Sequence, residues 1–176
     1  FNVAKRTTLP SLTQIQPLKN NTNPLQLVIG NETLKPSNSL NYSLNYTRSN
    51  PAKNSFFYIF SSMNQNFNSI QLNRIIDHET GITTTMYENI SNKNGLSLNA
   101  SAMSDFQLIK KWNLFAGAGL NYNYQNNYNF INGELNNFQS NSVNPSFGLG
   151  TRNIKNLTSR ANFNITFQNM KNSLQS

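Results

Sequence analysis

The stretch NSLNYSLNYTR, residues 38–48, alternates polar and apolar side chains with a period of two. Because successive side chains of an extended chain point to opposite faces, this alternation predicts a β-strand with one apolar face and one amide-rich face. The same pattern recurs in residues 96–102 and 161–167. No stretch shows the apolar period of about 3.6 that would predict a long helix. These patterns predict an all-β fold class.

Outward from residue 38, turn residues divide the alternating segments into an antiparallel up-and-down meander. Residues 1–37 form the first predicted unit, an irregular lead-in of loop and strand in which four prolines interrupt any long ladder. Residues 38–176 form the second predicted unit, the sheet itself. The predicted strands cover residues 38–48, 55–76, 82–104, 112–128, 142–152 and 157–169.

A sheet with one apolar and one wet face can cover a soluble core or separate lipid from a watery lumen. Charged residues make up only 11% of the chain, and about a fifth of the residues are Asn. Soluble surfaces depend on charged side chains, whereas a wide barrel lumen can be lined by neutral amides and hydroxyls. The composition therefore favours part of a transmembrane β-barrel. A soluble all-β module, glycan-binding or adhesin-like, is the alternative.

Cysteine content, hydropathy and charge exclude several other classes. The chain has no Cys, which excludes a disulfide framework and a thiolate metal site. It has no apolar run of about 20 residues, which excludes a transmembrane helix but not a transmembrane strand. The net charge is +8, but the basic residues are scattered, so no nucleic-acid partner is expected. Several are predicted to lie in solvated turns: Arg48, Lys53, Lys110, Lys111, Arg152 and Lys155.

The predicted connections alternate between short and long. Residues 50–52 and 153–156 form tight turns and residues 105–111 a modest one, whereas residues 77–81 and the Asn-rich residues 129–141 form longer loops. Outer-membrane barrels have short turns at one end and long loops at the other, so these two groups are predicted to lie at opposite ends. Aromatic residues near strand ends are expected to form interfacial girdles. The girdle residues are Tyr42, Tyr46, Phe56, Tyr58, Phe60, Trp112, Phe115, Tyr122, Tyr124 and Tyr128.

The apolar positions of the alternating segments are predicted to face lipid. In residues 114–120, Leu and Ala alternate with Phe115 and two glycines. This pattern fits a smooth lipid face backed by small lumen-facing glycines, and it also fits close sheet packing in a soluble sandwich. The predicted lipid-facing residues are Leu40, Tyr42, Leu44, Tyr46, Leu114, Ala116, Ala118, Leu120, Phe163, Ile165 and Phe167.

Side chains that could carry catalysis are few. His78 is the only histidine and lies between Asp77 and Glu79, close to a glycine that is typical of an exposed turn. Neighbours along a strand point to opposite faces and cannot all ligate one ion, so a loop tip is predicted there and no metal site. The chain is not expected to be an enzyme, and no catalytic residue or cofactor is predicted. Candidates for contact with a ligand or partner are Arg74, Asp77, His78, Tyr128 and Phe130.

Residues 23–36 have the sequence NPLQLVIGNETLKP. This stretch resembles the Asn-Pro-Leu-x-x-x-x-Gly-Asn-Pro-x-Leu-Lys-Pro-Glu signature of TonB-dependent-receptor-like outer-membrane β-barrel proteins of the Bacteroidota type. Glu32 replaces the usual Pro of that signature, and Ser37 stands where Glu is common. The matching residues are Asn23, Pro24, Leu25, Gly30, Asn31, Leu34, Lys35 and Pro36.

The resemblance extends along the chain as a layout of strands, short turns and a hairpin. It implies an interior segment of a larger barrel in the outer membrane of a Gram-negative bacterium, with a role in nutrient or cargo uptake. The implied partners are outer-membrane lipid, the remaining strands and plug of a longer chain, and a TonB-type energiser or surface lipoprotein. Because no plug and no terminal aromatic residue are present, we expect a fragment of a longer protein. The alternative role is a structural barrel component of a surface or secretion assembly.

Overall fold

The computed structural model describes residues 1–17, 20–23, 25–154 and 157–174, most of which lie in β-strands. A single helical turn, α1 (Leu12–Ile15), and two 3-10 turns, Pro51–Lys53 and Lys110–Trp112, complete the described elements. No helix within the described ranges is long and apolar enough to cross a membrane. The strands are β1 (Asn2–Thr8), β2 (Asn20–Asn23), β3 (Gln26–Ile29), β4 (Ser37–Asn50), β5 (Ser55–Phe67), β6 (Ser69–Ile76), β7 (Thr83–Ile90), β8 (Gly95–Ile109), β9 (Leu114–Ile131), β10 (Glu134–Ile154), β11 (Leu157–Asn164) and β12 (Phe167–Asn172).

Eight of these strands form one antiparallel sheet, which we call the main sheet. Across the sheet the strands lie in the order β1, β4, β5, β8, β9, β10 and β11, and β12 also pairs with β10. The pairing from β4 to β10 continues over long stretches, with Leu44 opposite Ser61 and Ala102 opposite Leu120. Interior strands of such a sheet bond their backbone groups on both sides, which a membrane-spanning strand requires. The predicted all-β antiparallel meander is confirmed.

From Thr151 back to Phe138, strands β11 and β12 follow β10 in one register. Ser146 lies opposite Asn164 and Val143 opposite Phe167, so the pairing keeps its phase across the gap between the two strands. Pro145 lies opposite that gap and has no N–H to donate, although its carbonyl accepts a bond of 3.1 Å from the Ile165 N–H. The interruption is therefore a missing donor in what is otherwise a single edge strand.

A second, four-stranded sheet has the order β2, β3, β7, β6, and its β3–β7 pair is parallel. The prediction of continuous strands over residues 55–76 and 82–104 was therefore wrong. The first breaks at Asn68, whose φ of 52° takes the chain out of the extended conformation. The second breaks between the end of β7 and Gly95. The β6–β7 hairpin thus leaves the main sheet and joins residues of the lead-in.

The connection between β9 and β10 also differs from the prediction. Residues 129–141 were predicted to be a long loop, but both strands continue to a two-residue turn of Asn132 and Gly133. Both residues have positive φ, 50° and 84°, which is the conformation that two-residue hairpin turns need. The Asn-Gly pair was the sequence signal, and the surrounding asparagines obscured it. Residues 105–109 likewise extend β8 instead of opening a turn.

The connections of the main sheet separate into two ends. At the turn end, the Pro51–Lys53 and Lys110–Trp112 turns each finish with a left-handed Asn, Asn54 and Asn113. At the hairpin end lie the β6–β7 excursion and the β9–β10 turn. Lys155, predicted to lie in the tight turn of residues 153–156, lies outside the described residues. Successive connections lie at opposite ends because each strand of the meander returns the chain across the sheet.

The lead-in is more regular than predicted. Residues 2–8 form β1 and pair with residues 37–43 at the edge of the main sheet. The described prolines Pro10, Pro17 and Pro36 lie between the strands, where the missing N–H breaks no ladder. Pro24 lies outside the described residues. Prolines therefore mark the ends of short strands here and do not prevent them.

The described residues contain almost no apolar core. Ile90, Phe115 and Ala116 are the buried hydrophobic residues among them, whereas large apolar side chains throughout the main sheet are exposed. A soluble sandwich needs apolar inner faces packed against each other. The soluble glycan-binding or adhesin-like alternative is therefore not supported, because the described residues form no dry interior between two sheets.

Candidate functional site

One face of the main sheet, which we call the apolar face, places apolar residues of neighbouring strands side by side. Directly opposed residues of an antiparallel pair point to the same side of a sheet. The register sets Tyr46 beside Ile59, Ile59 beside Ala102 and Ala102 beside Leu120. Leu120 and Phe163 are 47% and 67% exposed. This surface is apolar and outward, as a wall facing hydrocarbon must be.

The register brings the predicted lipid-facing residues of β4, β9 and β11 onto this one face, where Ala116 is buried and the others are at least partly exposed. Phe167 of β12 joins them opposite Val143. Ile165 lies in the interruption between β11 and β12, where its N–H bonds to Pro145, and its side chain is 58% exposed. Contact of these residues with lipid stays a prediction.

The apolar face has the height and the borders of a membrane belt. From Leu114 to Tyr124, a strand rising about 3.4 Å per residue and tilted by about 40° covers roughly 26 Å, close to the ~25 Å apolar band of such barrels. On the edge strands β1 and β12, Lys5 lies opposite Leu40 and Lys171 lies opposite Gln139. Both lysines are one row beyond Tyr42 and Tyr124 on this face. Lys5 and Lys171 therefore border the apolar rows at the hairpin end, whereas Arg48 lies in the row of Ala118.

The predicted aromatic girdle is only partly correct. Register places Tyr42, Tyr46, Tyr122 and Tyr124 on the apolar face. It places Phe56, Tyr58 and Phe60 on the opposite face, with Tyr58 between Thr47 and Met103, and Phe115 is buried there too. Residues 56–60 are all apolar or aromatic, so no alternation was present from which to assign their faces.

The opposite face of the main sheet, which we call the polar face, is tied together by side-chain amides. The Asn64 amide donates to Asn41, and the Asn99 amide donates to Asn123. Asn123 in turn donates to the Ser142 hydroxyl at 3.4 Å. These bonds cross from strand to strand, so the amides satisfy one another while still facing an aqueous space.

Near the turn end, the polar face carries a charged cluster of Asp105, Arg152 and Arg160. Arg160 donates from Nη2 to Asp105 Oδ1 at 3.0 Å, from Nη1 to Oδ2 at 3.4 Å, and from Nε to Asn162 Oδ1 at 2.9 Å. Arg152 Nη2 lies 3.9 Å from Asp105 Oδ2, and its guanidinium carbon lies 4.1 Å from the Phe115 ring centroid. Exposed ion pairs contribute at most about 1 kcal/mol, so the cluster matters mainly through what it positions.

Two glycines form the floor beneath this cluster. A Cβ on Gly117 would lie 2.1 Å from Asp105 Oδ1 and 2.5 Å from Arg160 Nη2. A Cβ on Gly148 would lie 2.6 Å from Asn162 Oδ1 and 3.0 Å from Arg160 Nε. The charged side chains therefore lie flat on bare backbone, in space that any larger residue would fill.

Sequence reasoning missed this cluster. Asp105 was assigned to a turn and Arg152 to the solvated turn cations, and Arg160 was not singled out. The glycines at alternate positions of β9 and β10 were the available signal, because adjacent glycine rows on one face leave room for long side chains above them. Nothing in a single sequence shows which side chains fill that room.

The signature-like stretch forms the joint between the lead-in and the second sheet, which we call the seam. A Cβ on Gly30 would lie 1.9 Å from the backbone oxygen of Gln16, so only glycine fits there. Asn31 donates from its side chain to the Tyr87 carbonyl at 2.9 Å and from its backbone to the Gln14 carbonyl at 2.7 Å. Its side-chain oxygen accepts from the Thr33 backbone at 2.9 Å.

Two asparagines outside the stretch complete the seam. Asn89 accepts from the Lys35 N–H at 2.8 Å and donates to the carbonyls of Lys35 and Asn68 at 2.9 and 3.0 Å. Asn68 donates to the Pro36 carbonyl at 2.9 Å. The Leu34 N–H bonds to the Asn31 carbonyl at 3.3 Å. These contacts give the stretch a structural role.

Three further residues of the stretch lie beside the seam. The Leu25 carbonyl accepts a 2.9 Å bond from the Thr83 N–H, and its side chain is 56% exposed. Asn23 ends β2. Pro24 lies outside the described residues. The stretch therefore runs from the edge of the second sheet to the start of β4.

Asp77 and His78 lie at the exposed tip of the β6–β7 hairpin. The Asp77 carboxylate accepts bonds from the Thr80 hydroxyl at 2.7 Å and the Glu79 N–H at 2.9 Å. These bonds, led by that of Thr80, lower the pKa of Asp77 below its ordinary value. In the described part of the chain, no group of acidic or histidine residues is arranged to hold a metal ion. The tip is a hydrogen-bonded turn.

The other two contact candidates lie on the neighbouring hairpin. Tyr128 and Phe130 are in β9 close to its turn, and Arg74 is in β6. A Cβ on Gly133 would lie 3.8 Å from Ile75 Cγ1, so the tip of the β9–β10 hairpin touches the β6 strand. The five candidates therefore lie on two hairpins that meet at the hairpin end.

Comparison with known proteins gives one match. The sequence model described as the outer membrane protein beta-barrel family matches residues 1–176. No curated protein matches the chain. No solved structure matches it either.

Proposed function

This chain belongs to the outer membrane protein beta-barrel family, and we propose that it forms part of the wall of a TonB-dependent-receptor-like barrel that takes up a nutrient or other cargo. The family membership places the protein in the outer membrane. The observation that carries the proposal is the contrast between the two faces of the main sheet. An apolar outside and an amide-lined inside let one sheet separate lipid from a watery path.

The resemblance to the receptor signature supports the finer part of the proposal. The signature-like residues are held by specific contacts at the seam, with Gly30 packed against Gln16 and Asn31 bonded to Tyr87. The Bacteroidota type belongs to the same proposal and rests on the same residues. The proposed contribution of the chain is containment and selectivity of passage, without a catalytic step.

The proposed partners follow from the surfaces of the sheet. Outer-membrane lipid covers the apolar face. β1 and the β11–β12 edge each pair on one side only among the described strands, and open edges in lipid need further strands. We propose that the remaining strands of a longer barrel pair there, that a plug occupies the lumen, and that a TonB-type energiser or surface lipoprotein acts on the assembly.

An uptake assay tests the receptor role. Cells that express the protein are compared with cells that lack it, using a panel of fluorescently labelled oligosaccharides and peptides. We expect accumulation of at least one probe that stops when a protonophore collapses the energy supply. Accumulation that ignores the protonophore would indicate a passive channel, and equal accumulation in both cell types would remove the uptake role.

The β6–β7 hairpin supports a second candidate, a structural component of a surface or secretion assembly. Its Leu72 and Ile76 side chains are 42% and 45% exposed at the hairpin end, on the same face of β6 as Arg74. An exposed apolar strip beside a cation is suited to contact with a partner protein. Photo-crosslinking from position 72 in intact cells distinguishes this role, since a dedicated partner gives one discrete product.

A further inference from the structure

Arg152 and Arg160 differ in how fully their donors are used. Arg160 gives three donors to Asp105 and Asn162 at 2.9 to 3.4 Å. Arg152 approaches Asp105 only to 3.9 Å, beyond hydrogen-bond distance, and its side chain is 51% exposed. Its position is nevertheless fixed, because the guanidinium stacks on the buried Phe115 ring. The cluster therefore holds a half-exposed guanidinium that stacks on an aromatic ring and lies beyond hydrogen-bond distance of Asp105.

A small cavity lies between the two arginines. It measures about 50 Å³ and is lined by Phe115, Gly150, Arg152, Thr158 and Arg160 together with Asp105. A second cleft of about 400 Å³ also borders Asp105 and Arg152. It opens among the residues of the Pro51–Lys53 turn, so the cavity can be reached from the turn end of the polar face.

We propose that Arg152 and Arg160 form a binding site for a small oxyanion, either a phosphate or a carboxylate group carried by a solute. Guanidinium groups present paired donors that match both groups. The cluster has two positive charges and one negative, so it retains a net charge of +1 for an incoming anion. Asp105 holds Arg160 in place and competes with the ligand, which makes the binding reversible. The site requires only that the polar face be wet, and does not depend on the uptake role.

Calorimetric titration with inorganic phosphate tests the site, using the whole protein purified and folded in detergent at constant ionic strength. We expect a saturable site that R152Q weakens about tenfold, in line with the loss of one charge-assisted bond. R152K keeps the charge but loses the planar fork, so its affinity falls between the two. K171Q is the matched control, since it removes the same charge from the apolar face and leaves phosphate affinity unchanged.

The direction in which a second substitution changes phosphate affinity distinguishes a binding site from a cluster that is only structural. D105N keeps the shape of the side chain but removes the competing carboxylate, so phosphate affinity rises. A lower affinity in D105N, or an unchanged affinity in R152Q, would overturn the proposal. D105N is near-isosteric and R152K keeps the positive charge, so the test stands even where a larger change prevents folding. Parallel titration with sodium acetate decides between the two sources: stronger acetate binding assigns the site to carboxylates, stronger phosphate binding to phosphate groups.

Discussion

The apolar and polar faces of the main sheet are built on the same strands, yet they obey opposite rules. On the apolar face, Leu120 is 47% exposed and no side-chain bond is needed to hold it. On the polar face, Asn99 and Asn123 bond across the strands. Exposure does not distinguish the two faces, whereas the polarity of their side chains does. The rule that apolar residues are buried is replaced here by a rule about which solvent each face meets.

The largest effect is expected from a charge placed on the wrong face. We expect L120R to lose about 2–4 kcal/mol of unfolding free energy, because the arginine lies near the middle of the apolar rows. The measurement is urea unfolding of the protein in lipid vesicles, followed by tryptophan fluorescence.

The neighbouring residue supplies the control for this comparison. Asn121 points to the polar face, where N121R places the same arginine in water and should change stability by less than about 0.5 kcal/mol. Equal losses in L120R and N121R would mean that the two faces meet the same solvent.

A smaller effect is expected from filling the glycine floor. G117V places a side chain where Asp105 and Arg160 lie, so we expect a loss of about 1–3 kcal/mol from displaced side chains. A118V adds bulk one residue away on the exposed apolar face and should be nearly neutral. Urea unfolding of both variants, with the Asp105–Arg160 contact checked by NMR, would separate them. A neutral G117V would show that the cluster does not rest on this backbone.

The seam offers a comparison outside the main sheet. N89A removes the side-chain bonds to Lys35 and Asn68, and we expect local opening to become easier by about 1–3 kcal/mol. Hydrogen exchange at the Lys35 amide is the measurement. N92A, in the exposed link after β7, is the control and should leave that exchange rate unaltered. Global loss of protection in N89A would instead make the seam part of the main folding unit.

The smallest effect is expected at the hairpin tip and depends on pH. The folded pKa of Asp77 is lowered, so its contribution is present above the unfolded value of about 3.9 and is lost as pH falls through the folded pKa. T80V removes the strongest stabilising bond, and the pKa of Asp77 should rise towards its ordinary value. NMR titration of the Asp77 carboxyl carbon tests this shift. The charge interaction with His78 contributes least to the lowered pKa of Asp77, so H78A should change that pKa least. A larger shift in H78A than in T80V would contradict the assignment.

The fold class was predictable because the alternation of polar and apolar residues within one strand is enough to assign the two faces of that strand. Residues 38–48 define their own faces, and β4 covers them with little change. Where apolar residues are consecutive, as in residues 56–60, the period is lost and only the register of the neighbouring strand assigns a face. The girdle prediction failed for that reason.

The parts that could not be predicted depend on contacts between distant segments. The parallel pairing of β3 with β7 joins residues more than 50 positions apart, and the charged cluster joins Asp105 with Arg160 across the two strands between them. Alternation within a strand carries no information on such pairs. The continuous strand predicted over residues 55–76 failed for a related reason, because one backbone angle at Asn68 redirects it.

Every non-glycine residue with positive φ in the described part of the chain is an asparagine: Asn54, Asn68, Asn113 and Asn132. Each occurs where the main chain reverses direction or leaves the sheet, because Asn tolerates that conformation better than other residues with a side chain. The asparagines of the chain therefore form its turns as well as line its polar face. A homologous wall with a drier lumen would still have to keep its corner asparagines, so amide abundance alone overstates how much water a barrel encloses.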